Sequence, residues 1–140
     1  AKHPPAPILQ SAKPQTGTES ILVVDDEEEI LEVVSSMLEM LGYDVFRAEG
    51  GQKALATLRE NRAINLVVID MLMPGMDGVE AVTKLKKISK DLKIILSSGF
   101  SEKDQIAGIL AKGCDGFLSK PFNLVELSMK VRQVLDDNSD

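Results

Sequence analysis

The residues of this sequence whose types suit chemistry are carboxylates, hydroxyls and one lysine, each placed directly after an apolar run. Asp25 and Asp26 follow Ile21-Leu22-Val23-Val24, and Asp70 follows Leu66-Val67-Val68-Ile69. Ser97 and Ser98 follow Ile94-Ile95-Leu96, and Ser119 and Lys120 follow Phe117-Leu118. From Asp25 to Asp70, Ser98 and Lys120 the successive gaps are 45, 28 and 22 positions, so only a fold can bring the set together. Three carboxylates sharing a pocket repel one another and raise one another's pKa. A hard divalent cation relieves that repulsion, and ligation by oxygen alone favours Mg²⁺, which keeps some of its waters. Such an ion also carries phosphate oxygens. A carboxylate can attack phosphorus to give an acyl phosphate, a step that needs little beyond alignment and charge neutralisation. Lys120 would supply the positive group, and one of Ser97 and Ser98 a hydroxyl donor. Side chains alternate along a strand, so only one of those two serines can face the pocket.

The elements that must position these residues follow from periodicity. Ile30, Val34, Met37, Leu38 and Leu41 recur at helical spacing after the first run, and Gly42 ends that helix. Asp44 to Arg47 reads as a weaker strand, and Gly50 to Arg59 as a second helix bearing Ala54, Leu55 and Leu58. After Asp70, Asp77 can cap a helix bearing Ala81, Leu85 and Ile88. Ile106, Ile109 and Leu110 suggest a short helix ending at Gly113, and Leu124, Leu127, Val131 and Val134 line a final one. Five strands alternating with five helices mean one open, mostly parallel α/β sheet. Strands that are apolar throughout, rather than alternating, are covered on both faces. Ligands of such sheets bind beyond the carboxyl ends of the strands, where the strand order reverses.

Residues 1–19 hold Pro4, Pro5, Pro7 and Pro14 among Gln, Ser, Thr and Gly, and read as a disordered or linker arm; residues 20–140 read as the folded domain. The chain carries a net charge of −6. A surface of that sign repels phosphate backbones, so no direct nucleic-acid partner is expected. No apolar run approaches the ~18 residues of a membrane span, and the first ten residues lack a signal peptide's layout. Cys114 is the single cysteine, which excludes an internal disulfide and fits a reducing, cytoplasmic setting. Met71, Met73 and Met76 around the Asp70 loop are packing residues or an apolar contact surface.

Together, ILVVDDEEEI, LVVIDMLMPGMDG, IILSSGF and GFLSKPF resemble the receiver domain of two-component response regulators, over roughly residues 20–137. Each motif alone is weak; four in order, each at a strand end, are specific. The resemblance implies a flavodoxin-like fold with strand order 2-1-3-4-5. It implies that Asp70 is the phosphoacceptor and that Asp25 and Asp26 are the acidic pair holding Mg²⁺. It further implies that the backbone carbonyl of Leu72 completes the protein's metal ligands. Ser98 takes the place of the hydroxyl that follows the phosphate, Lys120 that of the family's lysine, and Phe117 that of its aromatic switch. A cis bond is implied between Lys120 and Pro121.

The implied donor is a phosphohistidine on a histidine kinase or phosphotransfer domain. Such a receiver promotes its own phosphorylation and dephosphorylation without being a turnover enzyme. Leu72 and Phe100, both apolar, flank the acceptor and cannot orient a hydrolytic water, so slow self-dephosphorylation is expected. The proline-rich arm leading into TESILVVDDEEE is similar to the linker before the C-terminal receiver of a hybrid sensor histidine kinase, and that context is expected, with a stand-alone single-domain regulator as the alternative. No output domain is expected within this chain. A homodimer through the Ile106 helix, the last strand and the last helix is a further expectation. Two other classes fit less well. An aspartate-nucleophile phosphatase would carry Asp-x-Asp where Asp70-Met71-Leu72 stands. A flavin-binding flavodoxin would need a phosphate-cradling loop where Asp25, Asp26 and three glutamates stand.

Overall fold

A computed structural model describes residues 13–71, 73, 75–76, 78–99 and 113–137. Its elements run β1 (Ser20–Val24), α1 (Glu28–Met40), β2 (Asp44–Ala48), α2 (Gly51–Glu60), β3 (Leu66–Asp70), α3 (Gly78–Ile88), β4 (Lys93–Ser98), β5 (Gly116–Ser119) and α4 (Leu124–Leu135). All five strands are parallel, in the order β2-β1-β3-β4-β5. Five helices were expected; four lie among the described residues. The expected helix bearing Ile106, Ile109 and Leu110 falls outside them, as do the Asp77 cap, Leu72 and Phe100.

The apolar strands are explained by the two cores they serve. Leu22, Val67, Ile69, Ile94 and Leu96 face a cluster containing Ala54, Leu55 and Leu58 of α2 and Ala81, Val82 and Leu85 of α3. Ile21, Val23, Val68 and Ile95 face the opposite cluster, with Leu31, Val34 and Leu38 of α1 and Leu127, Val131 and Val134 of α4. Alternate residues of one strand therefore serve opposite layers, and the central strands have no solvent face to make polar. Leu22, Leu66, Ile69, Ile94 and Leu96 are completely buried, each contributing about 1.5–3 kcal/mol by leaving water. The edge strands β2 and β5 keep exposed positions.

The helix termini are fixed by separate devices. Asn123 caps α4 reciprocally with Glu126: the Glu126 N–H donates to Asn123 Oδ1 at 2.8 Å, and the Asn123 N–H to Glu126 Oε1 at 2.9 Å. Helix α1 has no side-chain cap on Glu27, but Glu28 and Glu29 put negative charge in its first turn, where the macrodipole favours it. Gly42 stops α1 with φ +100°, a conformation in which a Cβ is strained. The order reverses between β1 and β3: from β1 the chain winds outward to β2, and from β3 outward the other way through β4 to β5.

Candidate functional site

At the carboxyl ends of β1 and β3, beside that reversal, the structure brings together Asp25, Asp26 and Asp70. One carboxylate oxygen from each lies within 4.8 Å of the others. Asp70 is the last residue of β3 and only 8% exposed; Asp25 follows β1 and is 4% exposed; Asp26 is open to solvent. Asp25 is oriented from behind, because its Oδ1 accepts the Glu27 N–H at 2.9 Å. The main chain under Asp70 is pinned by Met71, whose N–H donates to the Ser97 carbonyl at 2.9 Å.

Lys120 closes the group from β5. Its Nζ lies 3.0 Å from Asp70 Oδ1 and 3.4 Å from Asp25 Oδ2. Its own N–H donates to the Ser98 carbonyl at 2.9 Å, and the Lys120–Pro121 bond is cis. Burial pushes the Asp70 carboxyl above the usual range. The Lys120 ammonium pulls it down, the charges of Asp25 and Asp26 push it up again, and the net direction is upward. For Lys120, burial works against the charged form, but the hydrogen bond and charge of Asp70, joined by Asp25, outweigh it and hold the ammonium above its ordinary value.

The two serines part company. Ser97 pairs in register with Asp70 and lines an apolar cleft of about 400 Å³ with Val23, Val68, Lys120 and Phe122. Ser98, 1% exposed, donates its hydroxyl to the Gly99 carbonyl at 3.1 Å. It stands two residues beyond Leu96 and so shares the sheet face of the α2–α3 core. Phe117 pairs in register with Leu96 and packs, half-buried, on that same core. Leu72, expected to offer a carbonyl, lies outside the described residues.

Two features of the surroundings are missing from the sequence reading. One is the cleft itself, walled by Ile30, Val33 and Met37 of α1 and reaching Asp25 and Lys120. Val33 is 54% exposed, an apolar residue off the buried stripe of its helix, which is the one hint the sequence held. The other is Asp115, whose Oδ2 accepts the Ile94 N–H at 2.8 Å and Lys86 Nζ at 2.9 Å, tying β4 to the approach of β5.

The donor set is all oxygen, triply anionic and partly buried, with one lysine in contact. It suits a hard divalent cation and offers nothing to a soft one. A doubly wound parallel sheet with such a group at its switch point defines an α/β protein with an acidic site at the strand ends. Residues 21–132 match the sequence profile of the response regulator receiver domain. The chain belongs to that family. It is similar to a probable transcriptional regulator, ycf27, of Porphyridium aerugineum, 40% identical over 118 residues that cover 84% of this chain and 48% of the relative. It is also similar to the transcriptional regulatory protein PrrA of Mycobacterium tuberculosis, 39% identical over 116 residues covering 82% and 49%. The chain thus spans about half the length of these curated relatives. Among solved structures it resembles the Vibrio cholerae chemotaxis protein CheY4, with 30% identity and a TM-score of 0.78 over 84% of this chain and 99% of that one. A receiver domain protein from Clostridium thermocellum gives 29% identity and a TM-score of 0.80 over 84% and 94%. No helix among the described residues is long and apolar enough to cross a membrane.

Proposed function

We propose that this domain accepts a phosphoryl group from a phosphohistidine onto Asp70. The observation that carries the reading is the contact of Lys120 Nζ with Asp70, at 3.0 Å, inside a group of three carboxylates. A carboxylate oxygen of Asp70 attacks phosphorus in line, the P–N bond to the donor imidazole breaks, and an acyl phosphate forms. Lys120, whose ammonium lies 3.0 Å from Asp70 Oδ1, neutralises charge on the moving group. Asp25, Asp26 and Asp70, with the Leu72 carbonyl, would hold Mg²⁺, which when bound supplies charge neutralisation for both carboxylates and phosphoryl oxygens. The apolar cleft beside Asp25 and Lys120 offers the donor domain a docking surface next to the acceptor.

The phosphoaspartate would then be read by Ser98 and Phe117. Their common sheet face, with Phe117 opposite Leu96 and Ser98 two positions further along β4, supports a coupled movement in which Ser98 turns to a phosphate oxygen and Phe117 fills the space it leaves. The parent polypeptide is a separate matter. The relatives above are named as transcriptional regulators, which favours a receiver within a response regulator; the expectation of a hybrid sensor kinase draws no support from them. The test of the acceptor reading is incubation with acetyl phosphate and Mg²⁺, followed by intact-mass measurement. One phosphoryl adduct is expected, lost on adding EDTA beforehand and absent from Asp70→Asn. An undiminished adduct on that variant would overturn the assignment.

A further inference from the structure

The segment ahead of β1 is docked along residues 13–19. The Gln15 N–H donates to Ser128 Oγ of α4 at 3.0 Å, and the Gly17 N–H to the Leu41 carbonyl at the end of α1 at 3.1 Å. Glu19 receives both arms of the Arg132 guanidinium, at 2.8 and 3.0 Å, and Arg132 also donates to the Tyr43 hydroxyl at 3.2 Å. The fit at Gly17 is close: a Cβ there would lie 2.4 Å from Arg132 Nη1 and 2.5 Å from Tyr43 Cε1. A bidentate Arg–carboxylate pair adds geometric specificity as well as energy, and Arg132 is only 15% exposed.

The two helices this segment grips are the two that hold the acidic pocket. Helix α1 begins at Glu28, directly behind Asp25 and Asp26, and its far end is where Gly17 docks. Helix α4 begins at Leu124, four residues after Lys120, and its body carries Ser128 and Arg132. At about 1.5 Å per residue, these helices of 13 and 12 residues are rods of nearly 20 Å. Their near ends follow the loops that hold Asp25, Asp26 and Lys120, and the strap ties the two helices together further along. A tie that fixes the relative position of the two rods also fixes Asp25 and Asp26 against Lys120.

We propose that residues 13–19 form a strap that couples the acidic pocket to the chain ahead of the sheet, so that docking of the strap and cation binding at the pocket reinforce each other. This rests on the metal reading above. Linkage makes the effect reciprocal: whatever factor the strap contributes to cation affinity, the cation contributes to strap docking. The direction is positive, because a docked strap preorganises the ligands.

The chain contains one tyrosine and no tryptophan, so its tyrosine fluorescence comes from Tyr43, beside Arg132. The experiment titrates the full chain with Mg²⁺, following calorimetry, Tyr43 emission and hydrogen exchange at the Gln15 and Gly17 amides. Wild type should bind Mg²⁺, change its Tyr43 emission in step with binding, and slow exchange at both amides. Glu19→Gln and Gly17→Ala should each weaken Mg²⁺ binding at least about fivefold and speed exchange at those amides. Mg²⁺ binding unaltered in both variants would overturn the coupling, whatever Tyr43 emission does, and leave the metal site standing. No Mg²⁺ binding by wild type would overturn the metal site and the coupling with it.

Discussion

Replacing Asp70 by asparagine should stabilise the metal-free protein at neutral pH. The charges nearly balance. At an effective dielectric of ~20, the Lys120 ammonium at 3.0 Å attracts the Asp70 carboxylate by roughly 5.5 kcal/mol. Asp25 and Asp26, each offering an oxygen within 4.8 Å, repel it by roughly 3.5 kcal/mol apiece. Solvent screening reduces the Asp26 share because that residue is exposed. Desolvation decides the outcome: Asp70 is 8% exposed, and burial is the leading cause of its raised pKa. Asparagine mimics the neutral acid in shape and removes the charged form. A gain of about 1–2 kcal/mol is expected, which for a domain of this size raises Tm by about 4–8 °C. The pH dependence has a definite sign. A folded-state pKa above the unfolded value means the folded protein holds the proton more tightly. The stability contributed by Asp70 is then complete below the unfolded pKa and lost as pH rises through the folded pKa. The advantage of Asp70→Asn should therefore be absent in acid, grow as pH rises through the folded pKa and level off above it. Thermal unfolding in EDTA between pH 3 and pH 8 measures this. A variant less stable than wild type at pH 7, or an advantage that persists unchanged in acid, refutes the reasoning.

Three further changes probe other parts of the account. Ser35→Ala should stabilise by about 1–2 kcal/mol in urea unfolding, because the Ser35 hydroxyl is fully buried with no hydrogen-bond partner among the described residues and alanine is the better helix former. Asn123→Ala should cost about 1 kcal/mol by breaking the capping box of α4, and faster amide exchange in the first turn of that helix should accompany the loss. Lys120→Met should destabilise the metal-free protein by about 1–3 kcal/mol at pH 7, since Asp25 and Asp70 then lie buried without their cation. That loss should shrink as acid protonates Asp70, and denaturant midpoints at pH 4 and pH 7 check it.

Much of this architecture is legible in the sequence because its strands are covered on both sides. Apolar runs such as Leu66 to Ile69 leave no polar face, and each ends at a residue with chemistry, which puts Asp25, Asp70 and Lys120 at one sheet edge from the sequence alone. Asp70 closes that run as the last residue of β3, where the ladder continues through its pairing with Ser97. What the sequence conceals is contact at long range. The grip of Arg132 on Glu19, 113 positions away, leaves no periodic trace, and the proline-rich composition of residues 1–19, which reads as a disordered or linker arm, carries no sign of it. The Asp115 clamp on β4 is hidden for the same reason, because an aspartate before a short strand reads as a turn residue. That Ser97 and Ser98 take opposite faces follows from the pleat of any strand, while the preference for Ser98 rests on the resemblance.

If a carboxylate oxygen of Asp70 receives the phosphoryl group, the bond it forms can be trapped chemically. After reaction with acetyl phosphate and Mg²⁺, borohydride reduces an aspartyl phosphate to homoserine, which peptide mass mapping locates. Homoserine is expected at position 70 and at no other aspartate. Homoserine at Asp25 or Asp26, or none at all despite a phosphoryl adduct on the intact chain, would contradict it.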